Sequence, residues 1–111
     1  MTGAVRTVLG DVVAEQLGAT DYHEHMFQAS PLLRGEELDD EEASGREAES
    51  LRDSGFAAFV DATPIGLGRD PLGLERIARA TGLRIVASTG LHKREHYPPR
   101  HWVLEADEDA L

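Results

Sequence analysis

FAAFVDATPIGLGRDPLGLERIARATGLRIVASTG, residues 56–90, decides how the chain folds. Residues 56–63 are a nearly continuous apolar run between Gly55 and Pro64, which suits a strand covered on both faces. The loop IGLGR leads to Asp70-Pro71, an acid at the N-cap position followed by proline where a first helical residue needs no N–H. Leu74, Ile77, Ala78 and Thr81 recur at i, i+3, i+4 and i+7, and Gly82 comes next, so the spacing predicts a helix over 70–81. LRIVASTG, residues 83–90, reads as a second buried strand. Two strands joined by a helix return to the same sheet in parallel.

The same rhythm extends towards the N-terminus. Residues 18–25 are a further strand candidate, and residues 36–54 carry Leu38, Ala48 and Leu51 as a sparse apolar helix face, interrupted by Gly45 and closed by Gly55. Strand, helix, strand, helix, strand in units of about 30 residues predicts an α/β fold with a parallel sheet. In front of it, Val5, Thr7, Val8 and Leu9, then Gly10-Asp11, then Val12-Val13 predict a small hairpin with its turn on Gly10-Asp11. Behind it, LHKREHYPP is a loop and HWVLEADEDAL, residues 101–111, opens what reads as another helix.

Composition narrows the chemistry. The 111 residues predict one small domain, and the absence of cysteine removes disulfides, thiolate zinc sites and cysteine nucleophiles. The N-terminus lacks a basic segment followed by an apolar core, and no apolar run approaches the roughly 18 residues of a membrane span, so a cytoplasmic protein without a membrane partner is expected. The formal charge is -10, of which residues 36–54 supply -7 from nine acids and two arginines. That acidity is local and reads as a solvated helix face. No basic stripe with interleaved aromatics is present, which argues against nucleic acid.

The stretch GATDYHEHMF, residues 18–27, holds the candidate chemistry. On a strand, side chains at i and i+2 share a face about 6.5–7 Å apart, so His23 and His25 can reach one metal ion. On a helix they would stand about 200° apart. His-x-His by itself more often marks two surface or hydrogen-bonded histidines; its place at the C-terminal end of a strand, where α/β sheets keep their chemistry, strengthens the reading as a site. Asp61 ends a strand on the same side, and its expected role is a structural hydrogen bond to a neighbouring turn. Glu24 alternates away from the histidines, where a salt bridge or a contact that supports the site from the outer side is expected. GLGRD lacks the third glycine of a dinucleotide fingerprint, and Arg69 is expected to brace the loop. His92, His96 and Tyr97 come after the third strand, at the mouth of a site built on strand ends; a plain surface loop is the more usual reading of such a stretch, and His92 is the candidate substrate contact. Trp102 reads as an anchor for the next helix, and Ser88 has no elbow or base partner.

GATDYHEHMF, VDATPIGLGRDP, LERIARATGLRIVASTG and HYPP, in this order, resemble the N-terminal third of the phosphotriesterase family of the amidohydrolase superfamily. The resemblance runs from TVLGDV to HYPP. It implies a TIM (β/α)8 barrel with a binuclear metal centre whose bridging hydroxide attacks an organophosphate triester or a lactone, the ions acidifying water and polarising the electrophile. His23 and His25 match the family's strand-1 pair on the more buried ion, and the implied metal is zinc, with manganese, cobalt or iron as alternatives. The family's carboxylated lysine, two later histidines and aspartate lie on later strands; Lys93, in a loop, does not match that lysine. Asp21 stands where the family has a hydrophobic residue, and Leu91-His92 replaces the tyrosine of its lactonases.

The expectation is therefore a partial barrel of about three parallel strands with intervening helices and an N-terminal hairpin. Residues 1–111 would be the N-terminal fragment of a metal-dependent ester hydrolase with small-molecule substrates, inactive alone through a truncated or split reading frame. The alternative is a non-catalytic association or metal-binding module that pairs with itself, as a homo-oligomer, or with a complementary fragment.

Overall fold

The structure, a computed structural model, describes residues 3–106. Strands β1 (Ala4–Thr7) and β2 (Gly10–Val13) form an antiparallel hairpin. Its turn falls on Val8-Leu9 rather than on Gly10-Asp11. The Thr7 hydroxyl displaces it, donating to the Gly10 carbonyl at 2.6 Å and accepting from the Leu9 N–H at 3.2 Å. The hairpin leans on the main sheet through one backbone bond, from Val8 N–H to the Ile85 carbonyl at 2.9 Å.

That sheet is the predicted one: β3 (Thr20–Glu24), β4 (Ala58–Asp61) and β5 (Arg84–Ala87), all parallel, in the order β3-β4-β5. Helix α2 (Pro71–Thr81) conforms closely to its sequence signals. Asp70 accepts the Gly73 N–H at 2.9 Å, Pro71 opens the first turn, and Gly82 closes the helix at φ +78°.

Helix α1 (Glu41–Asp53) departs from expectation by starting at Glu41 instead of near Glu36. Asp40 takes the N-cap, accepting the Ala43 N–H at 3.1 Å. Leu38 is consequently no part of the helix face. Its N–H and carbonyl pair with those of Gln28, at 2.8 and 3.0 Å, and this isolated antiparallel bridge fixes the segment before the cap as extended chain.

Both helices cover one face of the sheet. Phe59 and Ile85, register partners on β4 and β5, lie fully buried with Leu74, Ile77 and Ala78 of α2 and Ala48 of α1; Met26, Phe27 and Leu83 complete the core. Each such large side chain contributes about 1.5–3 kcal/mol by leaving water. A second cluster of Leu67, Tyr97 and Val103 packs the loops beyond the strand ends. Here Trp102 fails its predicted anchoring role: it is 52% exposed, and Val103 is the buried residue of the 3-10 turn Trp102–Glu105. The helix predicted for 101–111 is thus a single 3-10 turn as far as Glu105, and residues 107–111 lie outside the described part. Among the described residues no helix is long and apolar enough to cross a membrane.

Candidate functional site

The C-terminal end of β3 is irregular in a way that shapes everything around it. Thr20 and Asp21 pair with Ala58 and Phe59, and the next partners are Glu24 and Asp61, so three steps on β3 match two on β4. One extra residue makes a bulge, which re-aims the side chains beyond it. Asp21 and Glu24, three residues apart, come to the same side with their carboxyls adjacent. Glu24 is held above the usual carboxylate range, first by hydrogen-bonding interaction with the Asp21 carboxyl and then by burial. Of the two contacts expected of Glu24, no salt bridge forms among the described residues, and its carboxyl meets that of Asp21 instead. Asp21 also accepts the His23 N–H at 3.2 Å.

At and just beyond the bulge, His23 and His25 converge as the strand spacing predicts. Their Nε2 atoms are 3.2 Å apart, with ring centroids 5.1 Å apart and planes at 73°. His23 is exposed and His25 half-buried. Burial pushes His25 below the usual histidine range; the Asp61 charge opposes this and His23 adds to it. A neutral ring has one nitrogen free to act as ligand or acceptor. Two imidazoles at this distance either share a proton or point two lone pairs at one cation.

The support beneath the pair comes from β4. Asp61, 1% exposed, accepts the Met26 N–H at 2.9 Å and the Thr63 N–H at 3.0 Å, the structural role expected of it. Thr63, equally buried, donates its hydroxyl to the Phe27 carbonyl at 2.8 Å and contacts His25 Nδ1 at 2.9 Å. Ser88 shares its one hydroxyl proton between the carbonyls of Asp61 and Thr63, each 3.0 Å away, and so ties β5 to the end of β4. Arg69 braces the loop as predicted, donating to the Ser88 carbonyl at 2.7 Å. Gly68, at φ +87°, lets that loop approach closely: a Cβ there would lie 2.7 Å from the Ala29 nitrogen, so the glycine serves packing and not a phosphate cradle.

Over the strand ends lies a cleft of about 450 Å³ whose walls include His23, His25, Leu67, Leu91, His92 and His96. That volume suits a small molecule. His92 Nδ1 accepts the Lys93 N–H at 2.8 Å, so the neutral ring carries its proton on Nε2 and is a donor there. The His92 and His96 rings stack with centroids 3.8 Å apart, and His96 Nδ1 meets the Ser30 hydroxyl at 2.8 Å. Partial burial holds His96 below the usual histidine range, with the charges of His92 and Lys93 acting the same way. Tyr97 differs from the expected mouth residue. It is buried, donating to the Ile65 carbonyl at 2.7 Å and accepting the His92 N–H at 3.1 Å, and so holds the loop.

Sequence reasoning passed over Thr63 and Ser30. For Thr63 a signal existed in Asp61-Ala62-Thr63, since an aspartate at a strand end commonly caps the N–H two residues on and fixes the backbone there. Ser30 had none, because its partner His96 is 66 positions away. Among the described residues, no third His, Cys, Asp or Glu joins His23 and His25 in a group able to hold a metal.

The profile of the phosphotriesterase family matches residues 3–106. The chain is 39% identical over 99 residues to the phospho-furanose lactonase of Mycoplasmopsis agalactiae, covering 84% of this chain and 28% of that protein. It is 32% identical over 87 residues to the aryldialkylphosphatase of Saccharolobus solfataricus, covering 73% and 28%. The fold superposes on the crystal structure of a lactonase from Listeria monocytogenes with a TM-score of 0.75 at 34% identity, covering 83% of this chain and 30% of that one. The chain thus spans less than a third of the length of each.

Proposed function

This chain belongs to the phosphotriesterase family, and from that premise we propose that residues 1–111 are the N-terminal portion of a metal-dependent hydrolase of ester bonds, of lactone or phosphotriester type. In this reading β3, β4 and β5 are the first three strands of a (β/α)8 barrel, and His23 and His25 are two ligands of a divalent ion, zinc first, with manganese, cobalt or iron as alternatives. The observation that carries it is the approach of two imidazole Nε2 atoms to 3.2 Å at the C-terminal end of a parallel sheet. That separation is short enough for both nitrogens to act on one divalent ion, which His23 and His25 would hold together.

The donor set fits the ion chemically as well. Neutral imidazole is a good ligand for such metals, and burial disfavours the charged form of His25. When bound, a divalent ion would acidify water and polarise the electrophilic oxygen of the ester. The residues of this chain do the rest of the work assigned here: His23 and His25 hold, Asp61 and Thr63 brace, and His92 offers its Nε2–H to an oxygen of the substrate across the cleft. The substrate class is inferred from the names of the two relatives, a lactonase and an aryldialkylphosphatase.

Two ligands hold an ion weakly, and the remaining ligands of the family lie on later strands, so the 111-residue chain is expected to have no activity by itself. Assay of the purified chain with zinc, manganese or cobalt against paraoxon and a lactone panel tests this, and robust turnover overturns it. A zinc titration followed by the ring resonances of His23 and His25, lost in His23→Ala and His25→Ala, tests the ligand pair.

A second reading, an association module, draws on β3. It is an edge strand of its sheet and carries Tyr22 at 83% exposure. A soluble dimer of constant mass across a dilution series in light scattering would favour it; concentration-dependent aggregation would favour the hydrolase portion.

A further inference from the structure

Thr63 contributes one hydroxyl proton and two acceptor sites, and the two groups that touch it constrain how these are used. The Phe27 carbonyl, 2.8 Å away, can only accept, so that contact is a hydrogen bond only if Thr63 donates to it. With its proton committed there, the hydroxyl meets His25 Nδ1 at 2.9 Å as an acceptor. His25 must then carry its proton on Nδ1, which leaves the lone pair on Nε2, the atom that faces His23. The reverse arrangement would strip the Phe27 carbonyl of this bond beneath a residue that is itself buried.

We propose that Thr63 is a positioning residue: its buried hydroxyl selects the Nδ1–H tautomer of His25 and so aims the Nε2 lone pair into the cleft beside His23. Thr63 is itself held at both ends. Asp61 accepts its N–H and Ser88 donates to its carbonyl, so the backbone that carries the hydroxyl is fixed, and the hydroxyl itself is held by the Phe27 carbonyl and His25 Nδ1. The contrast with His92 sharpens the assignment. In the same cleft His92 has its Nδ1 engaged by a donor, the Lys93 N–H, and so takes the opposite tautomer. One ring is a ligand by this logic and the other a donor, each fixed by what its Nδ1 touches.

The relevance of this selection to metal binding rests on the reading of His23 and His25 as a shared ligand pair, and the experiment separates the two. Long-range 1H–15N spectra of the metal-free chain at neutral pH report the tautomer of each histidine directly. His25 is expected as Nδ1–H and His92 as Nε2–H; finding His25 as Nε2–H overturns the proposal without any mutation. Thr63→Val, which removes the hydroxyl at nearly constant shape, is expected to shift His25 towards Nε2–H and to lower zinc affinity about 10–100-fold, the usual effect of losing such an outer partner. Thr63→Ser is expected to restore both. A Thr63→Val chain that stays folded with an unchanged His25 tautomer refutes the positioning role even if zinc still binds. Conversely, a tautomer that tracks the hydroxyl while zinc leaves both rings unmoved upholds the positioning role and rejects the ligand pair.

Discussion

The two βαβ units share β4 but are built differently. In the second, β4 to β5, helix α2 buries Leu74, Ile77, Ala78 and Thr81 against the sheet. In the first, β3 to β4, helix α1 buries only Ser44 and Ala48 and ties itself down with a polar contact, Ser44 donating to the Met26 carbonyl at 2.6 Å. The candidate site belongs to the weakly packed unit by sequence and leans on the strongly packed one for support. His23 and His25 lie on and just beyond β3, while Asp61 and Thr63, which hold the chain around them, extend from β4. Order at the histidine pair therefore depends on the core of the second unit more than on the helix nearest to the pair in sequence.

Removing core from each unit gives the largest test of that dependence. Leu74→Ala takes a fully buried side chain out of the second unit and is expected to cost about 3–5 kcal/mol, enough to unfold so small a domain. Leu51→Ala, which trims a half-buried residue of α1, should cost about 1 kcal/mol, near the centre of ordinary substitutions. Urea titrations followed by circular dichroism measure both. Equal losses from the two variants would mean that the first unit is as tightly packed as the second, and the comparison would fail.

Helix caps offer a finer test. Asp70→Ala and Asp40→Ala each remove one side-chain acceptor from a helix N-terminus, and each should cost about 1 kcal/mol. Their distribution should differ. Fraying of α2 loosens residues at the centre of the core, so Asp70→Ala is expected to lower amide protection in β4 and β5 as well as in the helix. Fraying of α1 should stay local, with protection lost over residues 41–46 and retained in the sheet. Hydrogen exchange resolved by residue reads the difference, and loss of sheet protection in Asp40→Ala would contradict it.

The same contrast explains what could be read in advance. Helix α2 announced itself because cap, proline, apolar spacing and terminal glycine all agreed, and its place in the sheet came from the apolar runs on either side. Helix α1 carries consecutive acids, Asp39, Asp40, Glu41 and Glu42, any of which suits a first turn, and its start was settled by the pairing of Leu38 with Gln28. No local pattern encodes that bridge. At the site, the strand period brought His23 and His25 together on paper, because two positions in an extended chain need no tertiary information. The bulge that joins Asp21 to Glu24, and the Ser30–His96 contact, arise between segments distant or out of step in sequence, and periodicity carries no trace of them.

The smallest predicted effect concerns that acidic pair, where the first unit's polar construction carries a penalty that the second unit lacks. Glu24 titrates above its ordinary value in the folded chain because Asp21 lies against it. The folded state therefore binds more protons than the unfolded one just above the ordinary carboxylate range, and stability falls as pH rises through that window and stays lowered above it. Glu24→Gln removes the cost. Since the group is only half-buried and solvent still screens part of its charge, the gain at pH 7 should be about a few tenths of a kcal/mol. It should shrink as the pH drops below the ordinary range, where the wild-type carboxyl is already protonated in both states. His25 acts with the opposite sign: its lowered value means stability is lost as pH falls through the histidine range, so the two titrations separate when urea midpoints are compared at pH 7, 5.5 and 4. A Glu24→Gln gain of equal size at all three values would show that the substitution acts through packing on β3 and not through the charge it shares with Asp21.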